Sequence, residues 1–159
     1  MKVHNQQVFQ GQNCRVTNCL PHASVDVGLL KVEQTLAAFD SLSFRNPEIC
    51  ESLYTLGYPR VPLARTAPIV MQSGEVTSTG VTLLHGADVF LYSAVARPGN
   101  SGGPIISSTG HVLGIVTEEL SEESVSLSIP FHAGVKSDTI KSALNELKPS
   151  IIIPIEDYE

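Results

Sequence analysis

Ser101 stands in the run Pro98-Gly99-Asn100-Ser101-Gly102-Gly103-Pro104, a serine with glycines close on both sides. A serine hydroxyl is a weak nucleophile. It becomes an acylating group only with a base, an acid that orients the base, and donors placed for the developing oxyanion. Glycines serve the last requirement, because without a Cβ in the way two backbone N–H groups can turn toward one point. In this run Gly99 and Ser101 would supply those donors, and Gly102 and Gly103 would carry the chain tightly away.

Gly99 to Gly103 also satisfy the G-x-S-x-G pattern of α/β-hydrolases. Two features argue against that chemistry. Those enzymes place a helix straight after the serine, whereas Pro104-Ile105-Ile106-Ser107 reads as a strand running to a turn at Thr109-Gly110. They also place the acid after the serine, in a long α/β chain.

The elements that must position these residues read as short β-strands. Val25 to Val32 is a near-continuous apolar run, expected as a strand buried on both faces or nearly so. Ser52 to Gly57 is a second strand, stopped by Gly57-Tyr58-Pro59. Further strands are expected at Ile69–Met71, Gly74–Thr77, Val81–Leu84, Val89–Ala94, Ile105–Ile106, His111–Thr117 and Val125–Ile129. Strands this short, with turns this close, favour an all-β sandwich or barrel. One helix is expected over Asp138–Leu147 with Ser137 as N-cap, since Ile140, Ala143, Leu144 and Leu147 recur at helical spacing. The tail beyond Pro149 is apolar and then acidic, an edge strand or a linker stub.

Composition narrows the function. Hydrophobic residues make up 42% of the 159 and charged residues 16%, enough apolar material for a real core. The net charge of −6 and ten scattered basic residues argue against a nucleic-acid partner, which needs clustered Lys and Arg. No run reaches the roughly 18 apolar residues of a membrane helix, so no membrane partner is expected. The polar start Met1-Lys2-Val3-His4-Asn5-Gln6-Gln7 lacks the apolar core of a secretion signal, which favours the cytoplasm. Three cysteines, Cys14, Cys19 and Cys50, cannot all pair internally, which points the same way. Cys14, Cys19 and His22 could be imagined as zinc ligands, but no fourth ligand stands at a matching spacing. Neither a metal nor a cofactor is expected.

With these residues in view, the chain resembles a trypsin-like serine protease of the chymotrypsin fold, closest to the HtrA (Deg) type. The similarity spans about residues 15 to 147. Ala96 to Ile106, followed by Gly110-His111-Val112-Leu113-Gly114-Ile115-Val116, resembles the family's nucleophile loop and next hairpin. Gly57-Tyr58-Pro59 resembles the turn that opens the second barrel, and Gln72-Ser73-Gly74-Glu75-Val76-Thr77 resembles its Ser-Gly-x-Val strand. Asp26 and its surroundings resemble the acid motif D-x-A-x-L-x-V. The resemblance implies an all-β, double-barrel fold with a truncated first barrel and a C-terminal helix. It divides the chain into a partial N-terminal barrel at 1–48, a C-terminal barrel with the helix at 49–148, and a tail at 149–159. It also implies peptide-bond hydrolysis of a polypeptide substrate through an acyl-enzyme on Ser101. Asn100 stands where digestive proteases carry the Asp that pairs with a freed N-terminus, so that activation switch is not implied. Val95, six residues before the serine, and Thr117 would border the pocket for the side chain before the scissile bond. Nothing there is acidic, so small or medium apolar side chains are expected. The acidic run Glu118-Glu119-Leu120-Ser121-Glu122-Glu123 reads as a solvated loop.

The base is the weak point. The family order is His, Asp, Ser, and His4, 22 residues before Asp26, is the sole candidate on the expected side. Its neighbours are polar, whereas the family follows its histidine with an apolar segment. His22, His85, His111 and His132 read as ordinary exposed or half-buried residues, with His132 near the substrate-pocket wall. Three explanations fit: a fragment lacking the first strands, a short protease that uses His4, or a catalytically dead relative kept as a peptide- or protein-binding module. In each, an incomplete first barrel leaves open strand edges that could pair with a copy of itself or a partner chain.

Overall fold

The computed structural model of the chain describes residues 6–9, 12–35, 42–84, 86–120 and 131–156. Among these, nine strands and one helix follow in the order β1 (Gln6–Phe9), β2 (Gln12–Pro21), β3 (Gly28–Val32), β4 (Ser52–Gly57), β5 (Val70–Thr82), β6 (Asp88–Tyr92), β7 (Pro104–Ser107), β8 (Val112–Leu120), β9 (Phe131–Lys136) and α1 (Ser137–Leu147). The first three pair antiparallel as a sheet in the order β1-β2-β3. The other six close a barrel in the order β4-β5-β6-β9-β8-β7. Closure comes from β7 returning to β4, with Leu53 opposite Ser107 and Thr55 opposite Ile105. This is the all-β chymotrypsin-like architecture, with one closed barrel, an open sheet in the place of the other, and a C-terminal helix.

Alternation of side chains along each strand fills the barrel. Leu53, Val76, Phe90, Tyr92, Ala94, Ile105, Leu113 and Val116 form its core, all nearly or wholly removed from water. A second apolar cluster joins the halves. Val27 at the end of the β2–β3 turn packs with Val135 of β9 and with Ile140 and Ala143 of α1, against half-buried Val25, Ile115, Leu144 and Ile153.

Several expectations need correcting. The run from Val25 becomes a strand only at Gly28, because Val25–Val27 close a turn around Asp26. β3 is half-buried or exposed, not covered on both faces, since its sheet has three strands and no closed interior. The three strands expected between Ile69 and Leu84 are one long strand, β5, in which register shifts near Ser78 absorb the irregularity that Ser-Gly and Thr-Gly suggested. The strand expected at Val125–Ile129 lies outside the described residues. Ser137 does not cap the helix. It is fully buried, and its hydroxyl donates to the Val112 carbonyl at 2.8 Å. The cap comes from Asn46, whose Oδ1 accepts the Asp138 N–H at 3.2 Å while its Nδ2 donates to Asp138 Oδ2. A side-chain oxygen on a free N–H of the first turn does the same work wherever it comes from.

The tail is no linker stub but pairs at its edge with the segment around Phe44. Phe44 bridges in parallel to both Val112 and Ile155, so the Ser43–Arg45 segment lies between the start of β8 and the tail. Phe44 N–H donates to the Pro154 carbonyl at 2.7 Å, and Glu156 N–H donates back to Phe44 at 2.8 Å. Beside it, buried Arg45 holds Glu51 through its two terminal guanidinium nitrogens.

Candidate active site

The loop that carries Ser101 is shaped by two glycines in the left-handed region, Gly99 at φ +106 and Gly102 at φ +79, where an L-residue would be strained. Asn100 N–H donates to the Arg97 carbonyl and Gly103 N–H to the Asn100 carbonyl, both at 2.8 Å, which curls the loop on itself. β8 anchors it: Gly102 N–H donates to Val116 at 2.8 Å, and Val116 N–H returns a bond to Gly103 at 2.9 Å. On the other side Tyr58 N–H, just past β4, donates to the Gly99 carbonyl at 3.1 Å. Among the described residues neither Gly99 N–H nor Ser101 N–H is taken by a protein acceptor. The loop therefore exposes a serine with two free amide donors beside it.

Asn100 shows why an amide and not a carboxylate stands there. Its side chain is 1% exposed, packed toward Gly57, and neither carboxamide atom has a partner among the described residues. An unpaired carboxylate in that place would carry a desolvation penalty of several kcal/mol. A neutral amide avoids most of it.

Asp26 is brought to the serine from the other half of the molecule. Val27 N–H donates to the Val25 carbonyl at 2.7 Å, which puts Asp26 at the centre of a three-residue γ-turn. Thr117 of β8 then serves both partners. Its hydroxyl donates to Asp26 Oδ2 at 2.8 Å, and its carbonyl accepts the Ser101 hydroxyl at 3.2 Å. Thr117 is buried, while Asp26 and Ser101 reach solvent. Both border a cleft of about 450 Å³ lined by Gly28 and Leu30 on the sheet side and Gly102 and Ile115 on the barrel side.

The structure thus brings Ser101, Gly99, Thr117 and Asp26 together. Val95 lies on the approach to the loop, 44% exposed. His4 and His85 lie outside the described residues. The three described histidines are engaged elsewhere. His22 meets Glu146 at 2.9 Å, and His111 meets Thr109 and Glu156, each at 2.8 Å. His132 is buried opposite Tyr92 and stacks on its ring with centroids 6.1 Å apart. Burial pushes the Tyr92 hydroxyl well above its ordinary pKa, so the phenol keeps its proton. Among the described residues no three of His, Cys, Asp and Glu stand where they could share a metal, and Cys19 and Cys50 carry free thiols. No described helix is long and apolar enough to cross a membrane. Sequence reasoning placed Thr117 at the pocket wall but missed its bond to Asp26. The two are 91 residues apart, and no local pattern announces such a pair.

The family model of the trypsin-like peptidase domain matches residues 2–115, well over half of the chain. The chain belongs to the trypsin-like peptidase family. This trypsin-like domain also resembles solved structures of the Rv3671c protease from M. tuberculosis. Against the active form the TM-score is 0.66 at 17% identity, covering 95% of this chain and 65% of that one. Against the inactive form it is 0.67 at 18%, covering 90% and 71%. Likeness at that identity speaks for the fold. An uncharacterised protein of Sinorhizobium fredii (strain NBRC 101917 / NGR234), y4bJ, is 35% identical over 99 residues, which are 60% of this chain and 15% of that protein. The trypsin-like domain therefore spans a small part of that relative's length.

Proposed function

We propose that this domain is a serine endopeptidase of the HtrA type, with Ser101 as nucleophile, Asp26 as orienting acid, and the Gly99 and Ser101 N–H groups as oxyanion donors. The observation that carries this reading is the continuous link Ser101–Thr117–Asp26, which joins the two halves of the molecule at the rim of one cleft. In this reading the Ser101 hydroxyl leaves the Thr117 carbonyl and passes its proton to the base as Oγ bonds the scissile carbonyl carbon. The carbonyl electron pair moves onto oxygen, where the two amides hold it, each worth about 3 kcal/mol in such sites. Collapse expels the amine, which takes the proton back, and water then repeats the sequence on the acyl-enzyme. Val95 and Thr117 border the pocket for the side chain before the scissile bond, which takes small or medium apolar groups. The base is His4.

A second reading, a pseudoprotease that binds peptides or partner proteins without cleaving them, is favoured by one observation. Every described histidine is committed to a partner other than Ser101. Labelling with a fluorophosphonate probe separates the two. Labelling of the native chain, lost in Ser101→Ala and reduced at least a thousandfold in His4→Gln, supports the endopeptidase. A folded native chain that takes no label overturns it in favour of the binding module.

A further inference from the structure

The turn that presents Asp26 is only six residues long, His22 to Val27, between the end of β2 and the start of β3. Its main chain closes through His22 N–H donating to the Val27 carbonyl at 2.8 Å and through the γ-turn at Asp26. Of the turn's other N–H groups, those of Ser24 and Val25 share an acceptor. Both point at one atom, His22 Nδ1, at 3.3 and 3.1 Å. A backbone N–H can only donate, so Nδ1 must present its lone pair, and the ring proton sits on Nε2. Nε2 in turn meets Glu146 Oε2 of α1 at 2.9 Å, with the histidine side chain 8% exposed. The imidazole thus fills the turn from inside and ties it to a helix 124 residues further along the chain. The apolar side of the same turn, Val25 and Val27, packs on α1 and β9.

We propose that His22 is a positioning residue for Asp26: its ring, in the Nε2–H form, closes the acid's turn through Nδ1 and anchors it to α1 through Glu146. The Thr117 bond fixes where the Asp26 carboxylate ends, and His22 fixes where its backbone begins. Without the ring, two amides lose their acceptor, the turn gains freedom, and the carboxylate leaves its place over Thr117. The proposal rests on the catalytic reading of Asp26 for its functional consequence, but the closure itself is a structural claim that holds or fails without activity.

Two substitutions separate the two ring nitrogens. Asn places an oxygen acceptor near the Nδ1 position, whereas Gln places an amide near the Nε2 position and offers no acceptor to the turn. The proposal therefore expects His22→Asn to keep slow hydrogen exchange at Ser24 and Val25, and His22→Gln and His22→Ala to speed it at least tenfold. In full-length protein the Asp26 carboxyl ¹³C resonance should stay put in His22→Asn and move in the other two. The ¹⁵N spectrum of the native ring should show a protonated Nε2 and a bare Nδ1. For activity, His22→Ala and His22→Gln should slow fluorophosphonate labelling of Ser101 about tenfold or more, with His22→Asn within threefold of native and substrate KM little changed. Equal behaviour of Asn, Gln and Ala in exchange and in the Asp26 resonance would overturn the proposal. So would a native ring protonated at Nδ1. If the native chain takes no label, the endopeptidase reading falls, and exchange and the Asp26 resonance still decide the role of His22.

Discussion

Gly57→Ala tests the join between β4 and the nucleophile loop. A Cβ built at Gly57 would stand 2.7 Å from Asn100 Cα, 2.9 Å from the Gly99 carbonyl oxygen and 3.1 Å from Asn100 Cγ. The two nearest atoms are backbone, so no rotamer change relieves them. Ordinary contact begins at 3.4 Å, so the loop must retreat from β4 by up to about 0.7 Å. Overpacking of this kind costs about 1–3 kcal/mol, which for a domain of this size lowers Tm by roughly 3–10 °C. The retreat also carries Gly99 away from Tyr58 N–H, whose bond is already 3.1 Å long, and with Gly99 goes one proposed oxyanion donor. Displacement on the order of 1 Å can cost about a hundredfold in rate, and loss of one such donor about 10²–10³. The expected result is a folded protein, a few degrees less stable, labelled by fluorophosphonate about a hundredfold more slowly. Gly80→Ala is the control, because nothing lies within 4 Å of its Cβ, and it should match the native chain. A Gly57→Ala protein with native Tm and a labelling rate within threefold of native would refute the reasoning. Lower Tm with native labelling would refute the part that ties this contact to the donors.

Thr117→Val removes the hydroxyl bound to Asp26 while keeping the Thr117 carbonyl that accepts from Ser101. A hydrogen bond to a charged group contributes about 1.5–3 kcal/mol, and since solvent reaches Asp26 we expect the low end, labelling slower by a little over tenfold, with Thr117→Ser close to native. Asn46→Ala takes away the donor and acceptor that cap α1. A lost N-cap costs about 1 kcal/mol, so thermal denaturation should show Tm lower by roughly 2–4 °C, and Asn46→Asp should not restore it, because its carboxylate cannot donate to Asp138 and repels it. Glu156 is held below the usual carboxylate range, first by its hydrogen bond with Ser43 and then by His111. A depressed pKa stabilises the docked tail above the ordinary value of about 4.3, and that contribution is lost as pH falls through the lowered folded value. NMR of the Glu156 amide should show the tail docked at neutral pH and released only at acid pH, and Ser43→Ala should move release to higher pH.

Periodicity carried the parts of the fold where one face meets a core. Leu53 alternates with Ser52 and Tyr54 into the barrel, and Ile140 and Ala143 recur on the buried side of α1. The loop around Ser101 was legible because its shape is local: the glycines that take the left-handed φ its turns need are contiguous with it. Asp26 was legible as a residue but not as a geometry. An apolar run read as strand conceals that Val25 and Val27 belong to a γ-turn, since β-branched residues favour strands until a short closure overrides them. Ser137 has the residue type of an N-cap and sits at the right place for one, yet burial beside Val112 redirected its hydroxyl. The cap then had to come from Asn46, 92 residues earlier, and nothing near Asn46 in the sequence predicts that.

Those long-range partners share a pattern that bears on how the site is assembled. Thr117 to Asp26, His22 to Glu146 and Asn46 to Asp138 all connect the chain before β4 with β8 or α1. The barrel strands pair mostly with close neighbours in sequence, as β4 with β5 and β7 with β8, so the nucleophile loop can take shape as the barrel forms. Asp26 takes its place from further afield. Thr117 of β8 binds its carboxylate, and its turn is also tied across more than a hundred residues to the helix that follows the last barrel strand. The Ser101 loop is therefore set by the barrel, while the position of Asp26 depends on α1 as well. A change in α1 or at Asn46, remote from Ser101, should then reach the chemistry through Asp26 and leave the oxyanion donors as they were.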